Sequence, residues 1–132
     1  MLSKFCAGRA NLQAIVVPNG VMNMLKSSLI VTIVRKGWGN TVLEASVQAG
    51  AEGGTVLFGR GAGIHEQEKI LGIPIEPEKE IVLTVTDSER VDAILEGIDR
   101  DVELNEPGRG LAFVIGLDKV VGISHSEDHK SL

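Results

Sequence analysis

Residues 80–115 carry the pattern that most narrows the choice of fold. The run EIVLTVT at 80–86 is apolar and rich in β-branched residues, the composition of a buried strand. Val91, Ile94, Leu95, Ile98 and Val102 follow at i, i+3, i+4, i+7 and i+11, one apolar stripe of an amphipathic helix. Thr86 and Glu89 stand three apart ahead of that stripe, as in a capping box. Pro107-Gly108-Arg109-Gly110 is a loop signal, and residues 111–115 return as a strand.

The same order occurs once earlier. Residues 29–34 form an apolar, β-branched run, broken by Gly37-Trp38-Gly39-Asn40. Asn40 is a candidate helix cap, and Val42, Ala45 and Ala49 then fall at helical spacing. Gly50 is placed to stop that helix, because glycine accepts the left-handed conformation beyond a C-terminus. Residues 55–58 make the next strand, and residues 120–123 read as a short edge strand. Two strand-helix-strand units of this size most simply share one four-stranded antiparallel sheet with two helices on one face. That is the α+β, ferredoxin-like split β-α-β arrangement, βαββαβ in chain order. The face without helices calls for a partner, so an oligomer is expected.

The ends of the chain read differently. Residues 1–27 form an arm whose order the sequence leaves open; only 12–17 has strand composition. Residues 28–123 form the domain, and 124–132 a polar tail. A length of 132 residues suits one domain, and 43% hydrophobic with 23% charged residues is a globular composition. The net charge of −5 argues against nucleic acid as a partner. Cys6, the single cysteine, excludes an internal disulfide. No apolar run approaches a membrane span and the N-terminus lacks a secretory apolar segment, so a cytoplasmic protein is expected.

Three glycine clusters stand at strand edges: Gly53-Gly54, Gly61 with Gly63, and Gly108 with Gly110. Glycine lets a ligand approach the main chain, and successive N–H groups in such turns make anion-binding concavities. Each cluster alone is also consistent with an ordinary tight turn. None matches a Walker loop or a dinucleotide fingerprint.

Residues 28–123 resemble the P-II nitrogen regulatory proteins, in particular their divergent P-II-like relatives. Residues 30–35, the helix with Val42, Glu44 and Ala45, and the stretches GAEGGTV, RGAG, EKEIVLTV, GRGLAFV and VVGI carry the likeness. The resemblance implies a trimer of ferredoxin-like subunits that binds an adenine nucleotide in clefts between neighbours. It also implies a loop after the second strand that docks on a target, such as an ammonium or other membrane transporter or a metabolic enzyme. By the same resemblance, Arg60, Gly61, Ala62, Gly63 and His65 would line the nucleotide at the base of that loop. Gly108, Arg109 and Gly110 would form the phosphate-side loop, and Gly53, Gly54 and Thr55 of a neighbouring subunit would face the adenine. Leu111, Gly122 and Ser124 stand where the family carries cations, so ADP, AMP or a different anion is implied as readily as ATP. His65 replaces the glutamine that relatives use with metal and 2-oxoglutarate.

Residues 61–79 hold no Tyr, Ser or Thr, so the loop offers no acceptor for nucleotidylation or phosphorylation. His65, Glu66 and Glu68, and His125 with His129, are read as solvated rather than as metal ligands. Trp38 between two glycines either packs at the start of the helix or stacks on a ligand. Ser46 and Cys6 have no base beside them, and no catalytic set emerges; an enzyme using His65 as a base is the weakest reading. A nucleotide-sensing regulator is expected, and a structural or adaptor trimer that has lost its ligand is the alternative.

Overall fold

The structure, a computed structural model, describes residues 26–63 and 68–122. The strands are β1 (Ser27–Arg35), β2 (Thr55–Arg60), β3 (Glu68–Ile70), β4 (Ile73–Ile75), β5 (Glu78–Asp87) and β6 (Gly110–Leu117). The helices are α1 (Gly39–Gln48) and α2 (Val91–Val102). One sheet has the order β2-β5-β1-β6, with every neighbouring pair antiparallel. Each strand-helix-strand unit therefore leaves a gap of one strand, which the other unit fills. This is the expected split β-α-β sheet.

Register decides which side chains meet the helices, because residues paired across an antiparallel ladder share a face. Val56, Val82, Thr32 and Ala112 form one such row, and Thr84, Ile30 and Val114 the next. Ile30, Val34 and Val82 from this face pack with Val42 and Ala45 of α1 and Ile94, Ile98 and Val102 of α2. Burying each aliphatic side chain fully contributes about 1.5–3 kcal/mol, so this layer dominates the fold. The α2 stripe predicted from the sequence faces it, with Gly97 allowing α1 to approach closely: a Cβ there would lie 3.4 Å from the Ala45 carbonyl oxygen.

The opposite face carries Leu57, Ile81, Ile33 and Leu111 in one row and Thr55, Leu83, Val31 and Phe113 in the next. No helix covers it. Leu57, Leu111, Phe113 and Ile115 are 42–52% exposed on it.

Helix α1 ends as Gly50 predicts. Gly50 has φ +118, its N–H donates to the Val47 carbonyl at 3.0 Å, and Ala51 N–H reaches the Ser46 carbonyl at 2.9 Å, the Schellman pattern. The N-termini differ from expectation. Asn40 lies inside α1; the capping position is Trp38, which supplies no side-chain bond. The turn through Gly37 (φ +99) delivers the chain into the helix earlier, and the Glu80 carboxylate of β5 accepts the Gly39 N–H instead, at 2.7 Å. Thr86 and Glu89 do not form a capping box, because β5 runs on to Asp87 and holds Thr86 in the ladder opposite Ser28. A 3-10 turn, Ser88–Arg90, precedes α2, and a 2.6 Å Ser28–Ser88 hydroxyl contact fixes it to β1.

Residues 118–122 are not a strand: β6 stops at Leu117 opposite Ser27, where β1 begins, so the chain beyond has no ladder to join. Residue 123, like the candidate strand at 12–17, lies outside the described residues. The loop after β2 contains the hairpin β3–β4, closed by Leu71 (φ +53) and Gly72 (φ +82), which the sequence showed only as loop. Among the described residues no helix is long and apolar enough to cross a membrane.

Candidate functional site

One end of the sheet gathers most of the chemistry. The paired row Phe58, Glu80, Val34 and Gly110 marks it, and Arg60, Lys36 and Arg109 follow at the ends of their strands. Near β2, Lys36, Phe58, Gly59, Arg60, Glu78 and Lys79 line a cleft of about 520 Å³. Lys36 Nζ lies 2.6 Å from Glu78 Oε2, and the backbone N–H of Lys36 donates to the Glu78 carbonyl. The hydrogen bond to Lys36 and its charge hold the Glu78 carboxyl below the usual range, with Arg60 adding to the effect. The same contact raises Lys36. Gly61 N–H donates to the Pro77 carbonyl at 3.2 Å, which ties the two feet of the loop together.

At the β6 edge, the 103–110 segment is built from successive turns. Glu103 ends α2 in the left-handed conformation (φ +59). Glu106 N–H donates to the Glu103 carbonyl, and Arg109 N–H to the Glu106 carbonyl. Gly108 (φ +77) and Gly110 (φ +141) then require glycine. At Gly110 a Cβ would collide with the Ile33 carbonyl oxygen. Arg109 Nη2 bonds Glu103 Oε2 at 3.1 Å, and the guanidinium carbon lies 5.1 Å from the centre of the Trp38 ring. Trp38 therefore does pack at the start of α1, against the core, and it also carries Arg109.

The sequence-predicted residues fall into three places. Arg60 ends β2 at this end, and Gly61, Ala62 and Gly63 follow it; His65 lies outside the described residues. Gly108, Arg109 and Gly110 lie at the same end but on the other edge, with β5 and β1 between, about 14 Å by strand spacing. Thr55 begins β2, with Gly53 and Gly54 just before it, and lies about 17 Å from Arg60 along the strand. One chain thus does not bring the three clusters together. Gly54 has a packing reason, since a Cβ there would come 3.0 Å from the Leu83 carbonyl oxygen. Gly53, Gly61 and Gly63 have none: each faces open space at a φ that any residue adopts.

Lys79 and Glu80 escaped the sequence reading because alternating charges in PEKE resemble a solvated strand end, and Lys36 because it lies beside the glycine turn at 37. Ser46 is buried in α1 with its hydroxyl donating to the Val42 carbonyl at 2.8 Å, a structural role. No group of three or more metal-ligating side chains occurs among the described residues. His125 and His129 lie outside them.

The fold and its glycine-edged loops define a ferredoxin-like split β-α-β domain with one apolar face left open. Comparison with known proteins gives its family. The model described as nitrogen regulatory protein P-II matches residues 27–127. The nitrogen regulatory protein P-II 2 of Methanothermobacter thermautotrophicus is 34% identical over 107 residues, spanning 76% of this chain and 92% of that protein. The chain belongs to the P-II nitrogen regulatory family, whose members are regulatory signal-transduction proteins and not enzymes.

Solved structures agree on the fold. A B. subtilis GlnK–ATP complex superposes with a TM-score of 0.56 at 18% identity, over 70% of this chain and 83% of that one. Arabidopsis thaliana PII bound to citrate gives 0.58 at 23% identity, over 74% and 83%.

Proposed function

We propose that this chain is a cytoplasmic, trimeric P-II-type regulator. It senses an adenine nucleotide in clefts between subunits and controls a transporter or metabolic enzyme through the loop after β2. One observation carries the nucleotide reading. Gly53, Gly61 and Gly63 are glycine where the chain's own fold does not need glycine. A ligand closing on the main chain supplies the missing reason. The neighbour solved with ATP supports it, and so does an open sheet face whose burial between subunits would bring Thr55 of one chain toward Arg60 or Arg109 of another.

Calorimetric titration with ATP, ADP, AMP and 2-oxoglutarate, with and without Mg²⁺, tests this. Saturable heat from at least one adenine nucleotide is expected; silence from all of them removes the sensor. A ligand-free adaptor trimer is then the remaining reading. The observation that favours it is Leu111, 52% exposed where relatives carry a phosphate-binding cation.

A further inference from the structure

We infer that the cleft at the feet of the loop after β2 takes an acidic, extended segment of a partner protein, with Phe58 as its apolar anchor. The inference rests on the reading of this chain as a regulator of a target. It adds a contact on the sheet itself, outside the loop.

Val56 and Phe58 project from the same face of β2, the one that carries the helices. Val56 packs against the core. Helix α1 begins at Gly39, close over Val56 and Glu80, so the helical layer stops short of Phe58. Phe58 is left 75% exposed, the most exposed aromatic side chain among the described residues. It stands in the cleft of about 520 Å³ described above, not on a flat surface.

Charge surrounds this ring. Arg60 pairs with Glu78 in the ladder one step beyond Phe58, and Lys36 joins Glu78. With Lys79, three cations and one carboxylate line the cleft, in a chain whose net charge is −5. The Lys36–Glu78 pair is about 60% exposed on both sides, so it is screened and exchangeable. Carboxylates of an incoming segment can meet Lys36 and Arg60 while an apolar side chain covers Phe58. That is an apolar centre with a charged rim, the anatomy of a protein contact. β2 is an edge strand of the sheet, so an extended segment can lie along it. An aromatic ring this exposed suits an anchor for another chain better than the wall of an enclosed small-molecule pocket.

The test titrates the full chain with fluorescein-labelled pentapeptides, read by anisotropy. The probes are Glu-Glu-Leu-Glu-Glu, its glycine-centred analogue Glu-Glu-Gly-Glu-Glu, and the charge-reversed Lys-Lys-Leu-Lys-Lys. The first should bind saturably, the second more weakly and the third not at all. Phe58→Ser should weaken the first at least about tenfold. Arg60→Gln should weaken it about threefold, and Glu78→Gln, which releases Lys36, should tighten it about threefold. Phe58→Ser should leave ADP affinity, read by calorimetry, unchanged. Phe58 is exposed, so the variant is expected to melt as the unsubstituted chain does.

Silence from the acidic peptide, equal binding of the lysine peptide, or indifference to Phe58→Ser overturns the docking cleft while nucleotide sensing stands. An equal loss of ADP and peptide in Phe58→Ser gives the cleft to the nucleotide and overturns it too. A fall in oligomer mass in Phe58→Ser marks a contact between copies of this chain, with the same consequence. If the peptide shows the expected pattern and no nucleotide binds, the cleft stands and nucleotide sensing falls.

Discussion

The Glu80 carboxylate accepts the backbone N–H of Gly39 at 2.7 Å, so a strand of the sheet caps the helix that packs across it. The first turn of α1 has no acidic residue and no side-chain cap of its own. A carboxylate at that position satisfies an orphan donor and favours the positive end of the helix dipole. It also ties α1 to β5 at the end of the sheet where Arg60 and Arg109 stand.

Glu80→Ala and Gly39→Ala should therefore destabilise the protein through one contact. Removing the cap costs about 1–2 kcal/mol. Gly39→Ala places a Cβ 2.5 Å from Glu80 Oε1 and 3.1 Å from Val56, so the carboxylate must move. Denaturant unfolding of both variants and the double variant checks this. The second change should add little to the first, whereas full additivity would mean that the contact is not what each variant loses.

The glycines separate by role. Gly110→Ala should unfold the β6 edge, since its Cβ would strike the Ile33 carbonyl and its φ is +141. Gly61→Ala and Gly63→Ala should leave folding and melting of the ligand-free protein unchanged, because both positions are open. They should instead weaken nucleotide binding. A large loss of ligand-free stability in either would return these glycines to a purely structural role.

The Lys36–Glu78 pair gives a pH signature. Glu78 is lowered, so its stabilisation is complete above the usual carboxylate range and is lost as pH falls through its lowered value. Lys36 is raised, so its share is complete below the usual lysine value and is lost as pH rises through its raised one. The melting difference between wild type and Glu78→Gln should be flat near neutrality and shrink below about pH 4. Both side chains are exposed, so added salt should shrink it as well. A difference that grows in acid would contradict the pairing.

Phosphate number should matter little. With Leu111, Gly122 and Ser124 at positions where the family resemblance implies cations, the proposed site meets the charge with Arg60, Arg109, the cleft residues Lys36 and Lys79, and backbone N–H groups. Each further phosphate needs a partner as it leaves water. ATP should bind no more than a few times more tightly than ADP, and Arg109→Ala should weaken ADP at least about tenfold. Competition calorimetry reads both; ATP far tighter than ADP and indifferent to Arg109 would place the phosphate site elsewhere.

The elements that were legible in the sequence are those whose pattern reports burial. The Val91 to Val102 stripe and the β-branched runs of β1 and β5 repeat at the period of the face they bury. Gly50 was legible because a left-handed terminus admits few residues. Local rules failed where a distant residue took the role: Glu80 replaced Asn40 as the cap of α1, and the β1–β5 ladder claimed Thr86. The hairpin β3–β4 has strands of three residues, too short to show a period. At the site, the glycine clusters were visible, but the contact between Trp38 and Arg109 joins residues 71 positions apart, a proximity that only the fold creates.

The proposed intersubunit site rests on burial of the open sheet face between subunits, and the mass in solution tests that burial most directly. Leu57, Leu111, Phe113 and Ile115 lie exposed on one side of a four-stranded sheet and form an apolar patch that a stable soluble subunit covers. Light scattering of the full chain at micromolar concentration should give three times the 14.0 kDa chain mass. Phe113→Glu, which puts a charge in that patch, should shift the mass toward the single chain. A monomer for the unsubstituted protein would contradict the account, because the clusters at Thr55, Arg60 and Arg109 would then have no means of meeting.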